Sequence, residues 1–380
     1  MTAWPPRVRA AVAAAIMAVA TSGVPLPAHT SWEWQLPAGV HPPDVPADAP
    51  MSQELVDLGR HLFYDTRLSA NGTQSCASCH EQARAFTDGR AQAVGSTGAV
   101  HTRNSMSLVN VAFAETLTWA HPTLTSLEAQ ALVPMYGTAP VELGLTEGDD
   151  RWLGRLANDA TYARLVPAAF PGTPRLAVSH VARALAVFER SIVSMRAPWD
   201  RYHFDRDETA ISESAKRGEV LFHSRPLSCF TCHGSMHFSD AMSARRDRPP
   251  VFHNTGLYNL TGGLSYPVAD TGLHAKTGAA ADIGRFKAPS LRNVSVTGPY
   301  MHDGSIATLG EVIDHYADGG RTIASGPNRG IGHENPLKDA AVRGFWLTTG
   351  QRADLLAFLD SLTDTALLTD PRFANPWGKR

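Results

Sequence analysis

The chain has little cysteine, no surplus of charge and, beyond its first thirty residues, no long hydrophobic run. Basic and acidic side chains number 34 and 36, which leaves no electrostatic footprint for nucleic acid or for an anionic membrane surface. No later segment stays apolar over the roughly 20 residues that a bilayer span needs, so stable membrane insertion is not expected. Strand-type alternation is scarce as well. Helical windows such as RLAVSHVARALAVFERSIVSM, from Arg175 to Met195, therefore set the fold class as mainly α. At 380 residues there is room for two or three domains.

What is present begins at the N-terminus. Arg7 and Arg9 precede an Ala-rich apolar run from Ala10 to Ala20, then a small, Pro-containing stretch ending near Ala28. This is the layout of a secretory signal peptide over residues 1–28, and the run is about half a membrane span. The expected product is an exported, soluble periplasmic protein.

An exported chain with four cysteines would ordinarily suggest two disulfides. Here the cysteines form two Cys-x-x-Cys-His units, Cys76-Cys79-His80 and Cys229-Cys232-His233. That is the attachment signature of c-type haem: two thiols add to the vinyl groups and the next histidine reaches the iron. A redox dithiol needs no such histidine and expects a βαβ context, whereas paired zinc ligands would close one site together. Two covalently bound haem c groups are the reading that uses all six residues.

The segments upstream repeat each other. Gly59-x-x-Leu62-Phe63 matches Gly218-x-x-Leu221-Phe222, and Leu55, Leu58 and Leu62 share one helical face. Two cytochrome c-like modules follow, meeting at an inter-domain interface, each with a helix packed beside its haem and a glycine allowing the close approach. The division expected is a Pro-rich extended strap over 29–50, an N-terminal module over 51–207 and a C-terminal module over 208–365. The boundary falls at the charged break DRDETAISES, and residues 366–380 form a tail.

Taken together, CASCH, AFTDGR, RNSMSLVNVA, SLEAQALVP, VELG, CFTCHG and FKAPSLRNVSVTGPYMHDGSIATLGEVIDHYADGG resemble the bacterial di-haem cytochrome c peroxidase and MauG superfamily over roughly residues 50 to 365. The stretch WAHPTLTSLEAQALVPMYGTAPVELGL is similar to the MbnH-type branch found beside methanobactin and copper-protein genes. The resemblance implies a division of labour in which the first haem meets hydrogen peroxide and the second stores or supplies an electron.

Residue roles follow from it. Thr308 and Glu311 have capping-box spacing, and Leu309, Val312, Ile313 and Tyr316 share a face of the helix they begin. Tyr316, seventeen residues after Pro299, stands where the peroxidases use methionine and MauG uses tyrosine as second axial ligand. A phenolate favours oxidised iron. Met301 is the rival ligand. On the distal wall the resemblance gives Glu142 as acid/base, Gln130 as polar neighbour and Pro134 as a shape element, although the Pro134-to-Glu142 spacing is two residues longer than in MauG. Glu128 and Glu147 read as helix or turn carboxylates. Ser96 replaces the loop histidine that blocks the iron in many relatives, and His101 reads as a surface residue. Trp119 falls where an indole lies between the haems. Asn104, with the carbonyls of Thr297 and Pro299, resembles an inter-haem calcium site. His302 and Asp303 read as structural.

The function expected is peroxide-driven formation of an oxidised state shared by two haems, followed by oxidation of a protein side chain. On the MbnH-type resemblance, the target is a tryptophan of a small copper-associated partner. The alternatives are a cytochrome c peroxidase fed by a small cytochrome, and a two-haem electron carrier.

Overall fold

The computed structural model describes residues 32–378 apart from 174, 243–249 and 262–264. The expected signal segment lies outside the described residues. Among them, no helix is long and apolar enough to cross a membrane.

Helices dominate. In chain order they are α1 (Gln53–Phe63), α2 (Leu127–Tyr136), α3 (Leu153–Ala157), α4 (Ala160–Ala169), α5 (Val178–Ser191), α6 (Pro198–Phe204), α7 (Glu213–Phe222), α8 (His274–Thr277), α9 (Leu309–Ala317) and α10 (Thr349–Asp360). The described sheet is one antiparallel pair, β1 (Thr322–Ile323) and β2 (Gly330–Ile331), with Thr322 opposite Ile331. Residues 36–50 contain no helix or strand, in keeping with their prolines.

The repeat seen in the sequence is a repeat in space. Ser52 caps α1 by accepting from the Leu55 N–H at 3.2 Å, and Ser212 caps α7 by accepting from Ala215 at 3.1 Å. Helix α1 crosses α5 at Gly59, where a Cβ would stand 1.9 Å from the Ala184 carbonyl oxygen. Helix α7 crosses α10 at Gly218, where a Cβ would stand 2.0 Å from the Asp354 oxygen. Phe63 meets Phe188 across the first crossing and Phe222 meets Phe358 across the second, both at 5.1 Å between ring centres. Each crossing anchors one apolar core.

Trp199 and Phe204 on α6 pack into the second core, although they precede the charged break. Leu367 and Phe373 pack into the first core from the far end of the chain. Gln82, two residues after His80, donates to the carbonyls of Leu367 and Asp370 at 2.9 Å, so this C-terminal segment fastens the first haem-attachment loop.

A third apolar cluster joins the modules: Trp119, Leu257, Tyr258, Tyr266, Phe286 and Ile306. A polar hub also links the two repeats. Asn110 and Asn293 both have left-handed backbones (φ 59 and 61) and both bond to Ser194, through its backbone and its hydroxyl respectively.

Candidate active site

Each Cys-x-x-Cys-His unit opens as a short 3-10 turn, Cys76–Ser78 and Cys229–Thr231. The turn brings its histidine back over the first cysteine: the His80 N–H donates to the Cys76 carbonyl at 3.1 Å, and His233 to Cys229 at 3.0 Å. Both imidazoles are then fixed from behind. Nδ1 of His80 is 2.8 Å from the Phe86 carbonyl oxygen and Nδ1 of His233 is 3.0 Å from that of Phe238. A carbonyl only accepts, so Nδ1 carries the proton and Nε2 keeps its lone pair for a metal. Burial lowers both histidine pKa values, which favours the neutral, ligating form. Phe86 and Phe238 reach these positions through left-handed backbones (φ 61 and 52).

No disulfide joins the cysteines. Burial pushes the Cys79 thiol up to about 11 and the Cys229 thiol up to about 12, so neither is the low-pKa thiolate of a redox dithiol.

Both histidines open on one cavity of about 760 Å³. Gln130, Pro134 and Glu142 line it on the side of the first unit. Tyr316 and Met301 line it with the second, and Trp119, Asn104, Thr297 and Pro299 line it as well. The sequence-derived site residues thus border this space, except Cys76, which packs partly buried against the first core. Its apolar walls, four unpaired thiols and two pre-oriented imidazoles fit two haem c groups. His80 and His233 would be the proximal ligands and Tyr316 a further ligand.

The distal wall is built by backbone pairing. Leu143 N–H donates to the Pro134 carbonyl at 2.9 Å and Leu145 to Met135 at 2.9 Å, folding the segment after α2 back along that helix. Ser96 N–H donates to the Glu142 carbonyl at 2.7 Å, an approach that needs Gly95, whose Cβ would lie 1.8 Å from the Val141 oxygen. These contacts hold Glu142 at the cavity edge, partly solvent-exposed. His101, expected at the surface, is partly exposed and also lines the cavity, its Nε2 3.5 Å from Glu142 Oε1. The turn through Gly98 returns the chain toward the wall, which spacing alone did not reveal.

Tyr316 stands on the α9 face that also carries Val312 and Ile313, and the Thr308–Glu311 capping box is formed. Burial raises its pKa, so the phenol keeps its proton until a metal displaces it.

Trp119 is held from two sides. Its indole N–H donates to the Asn104 carbonyl at 2.9 Å and its own carbonyl accepts from the Lys287 N–H at 2.8 Å. Asn104 spends its amide N–H on the Arg90 carbonyl at 2.6 Å. Among the described residues no three His, Cys, Asp or Glu side chains gather as a metal cluster. A cation here would rest on amide and carbonyl oxygens.

Sequence reasoning missed several groups. Glu189 on α5 lines the cavity with Oε2 buried and without a hydrogen-bond partner, and burial pushes its pKa up to about 8. His253 lies between Asp240 (2.7 Å) and Asp339 (2.6 Å); burial opposes its charge, yet the carboxylates outweigh that and raise its pKa to about 12. A second repeat, Ser107-Leu108-x-Asn110-Val111 against Ser290-Leu291-x-Asn293-Val294, was available as a signal. Ser107 Oγ donates to the Ala85 carbonyl at 2.6 Å and Ser290 Oγ to the His237 carbonyl at 2.7 Å, both just beyond a haem-attachment unit.

Duplicated helix crossings around two haem-attachment units, opening on one cavity, define a di-haem c-type oxidoreductase. The sequence pattern of the di-haem cytochrome c peroxidase family matches residues 53–209. The chain is 35% identical to the cytochrome-c peroxidase IdrP1 of Denitromonas iodatirespirans, covering 88% of this chain and 89% of that protein. It is 34% identical to the methylamine utilization protein MauG of Methylorubrum extorquens, covering 86% and 83%. The crystal structure of a MauG-like protein associated with microbial copper homeostasis superposes with a TM-score of 0.88 at 46% identity, over 91% of this chain and all of that one. The chain belongs to the di-haem cytochrome c peroxidase and MauG family, and is a peroxide-dependent di-haem oxidoreductase.

Proposed function

We propose that this enzyme is exported to the periplasm and uses hydrogen peroxide to oxidise a tryptophan side chain of a small copper-associated protein. The observation that carries the reading is Trp119, hydrogen-bonded to both halves of a cavity shared by His80 and His233. The 46% identity to a MauG-like protein associated with copper homeostasis supports the choice of partner.

When bound, the two haems supply the redox chemistry, and hydrogen peroxide supplies the two oxidising equivalents. The N-terminal module, assigned residues 51–207, receives peroxide; the C-terminal module, 208–365, holds an oxidising equivalent. Glu142 would move a proton from one peroxide oxygen to the other, which leaves as water. Gln130 orients the peroxide and Pro134 shapes the wall beside it. Tyr316 would hold the second iron as a phenolate ligand and so favour its oxidised form. Asn104 and the carbonyls of Thr297 and Pro299 would supply hard oxygen ligands to a calcium ion, and Trp119 would relay the electron.

The identity to a cytochrome-c peroxidase favours a second reading: peroxide reduction by electrons from a small cytochrome. A donor test separates the two. Under the proposal the peroxide-oxidised enzyme persists without a donor and decays when the copper-associated partner is added. Rapid decay with a reduced small cytochrome, and none with the partner, selects the peroxidase reading.

A further inference from the structure

Among the described residues three lysine or arginine side chains are buried: Arg190, Lys287 and Arg292. Two of them are matched by carboxylates. Arg190 meets Glu128 at 2.8 Å, and Arg292 forks onto both oxygens of Asp200 at 2.9 Å. Lys287 differs. Its Nζ donates to a single carbonyl, that of Thr116 at 3.2 Å, and no carboxylate of the described residues forms an ion pair with it. It is 4% exposed and lines the cavity. Burial alone lowers its pKa, to about 8, with no anion acting against it.

An ammonium group removed from water and left without an anion is strongly disfavoured. Haem binding closes the cavity further and brings anions of its own, the propionates. The segment bearing Lys287 is tied to the loop after the second attachment unit: Ser239 Oγ donates to the Ala288 carbonyl at 2.7 Å, and Ser290 Oγ to the His237 carbonyl at 2.7 Å. The matching position in the first repeat is Asn104, which carries no charge.

We propose that the Lys287 ammonium is the counter-ion of a propionate on the haem attached at Cys229 and Cys232. Its backbone N–H meanwhile holds the Trp119 carbonyl, so one residue sets both the charge at that haem edge and the placement of the indole. The assignment rests on the family's haem binding and not on the protein-oxidation reading.

The test is a spectroelectrochemical titration of the full di-haem protein, resolving the two haems, for wild type, Lys287→Met and Lys287→Arg. A cation beside a haem favours the ferrous form because it disfavours the extra positive charge of ferric iron. Lys287→Met should therefore lower the midpoint potential of the second haem more than that of the first, and Lys287→Arg should restore it. An unchanged second potential in a Lys287→Met protein carrying both haems overturns the proposal, as does a shift confined to the first haem. Should that variant not accumulate, resonance Raman of the wild type decides: the propionate bending mode of the second haem should move on exchange into deuterium oxide, and a mode that does not move overturns the assignment.

Discussion

The indole N–H of Trp119 donates to the backbone carbonyl of Asn104 at 2.9 Å. This ties the aromatic ring to the segment Arg103–Asn110, while the residue's own carbonyl is tied to Lys287 in the equivalent segment of the other repeat. Trp119→Phe keeps an aromatic ring but loses the indole and its anchor. It should leave peroxide binding unchanged and impair sharing of the oxidising equivalent between the haems, read by stopped-flow absorbance. A variant that modifies its partner at the wild-type rate removes Trp119 from the route.

Glu142 is held at the cavity edge by its backbone bond to Ser96, with His101 3.5 Å from its carboxylate. Glu142→Gln preserves shape and removes the proton acceptor. Both haems should remain attached, and formation of the peroxide-oxidised state should slow by about 10²-fold. Wild-type rates would move the acid/base role to another carboxyl, and Glu189, buried with a free oxygen, is the next to substitute.

Tyr316→Phe removes the phenol and leaves the packing of α9 intact. The low-spin spectrum of the second haem should change, since a phenyl ring cannot ligate iron. An unchanged spectrum assigns the ligand elsewhere, with Met301 in the same cavity the first to examine.

The two helix crossings predict a matched pair of effects. Gly59→Ala and Gly218→Ala place a Cβ 1.9 and 2.0 Å from backbone carbonyl oxygens, too close for a side chain to yield. Each should destabilise its module by about 1–3 kcal/mol in thermal unfolding, as overpacking does. A neutral Gly59→Ala would show that the α1–α5 crossing can open without penalty.

How much of this was legible in the sequence depends on the range of the interaction. Local signals were readable: the attachment units, the Leu55/Leu58/Leu62 face, the Thr308–Glu311 cap and the paired glycines. The placing of His101 was not, because it depends on a loop doubling back through Gly98. The pairing of His253 with Asp240 and with the distant Asp339 depends on how the intervening loops fold, and periodicity carries no trace of it. The Ser-Leu-x-Asn-Val repeat lay in plain view and becomes meaningful once both serines are seen bonding to carbonyls beyond the haem-attachment units.

The C-terminal segment supplies a pH-dependent test. Asp370 pairs with Arg372 at 2.6 Å and Arg196 at 3.2 Å. Burial opposes its charge, but the arginines hold its pKa down to about 2. A carboxylate with a depressed folded pKa contributes stability that is complete above its unfolded value near 3.8 and is lost as pH falls through about 2. Because both arginines are well exposed and solvent screens the pairs, Asp370→Asn should thus cost about 1 kcal/mol at neutral pH and nothing measurable at the acid limit. A penalty independent of pH would assign the role of Asp370 to packing rather than charge.

Mass spectrometry of the copper-associated partner, incubated with the di-haem enzyme and hydrogen peroxide, tests the central claim most directly. The account predicts oxygen gained at a tryptophan of the partner, dependent on both enzyme and peroxide and diminished in Trp119→Phe. A partner of unchanged mass, alongside rapid peroxide consumption driven by a reduced small cytochrome, would contradict it.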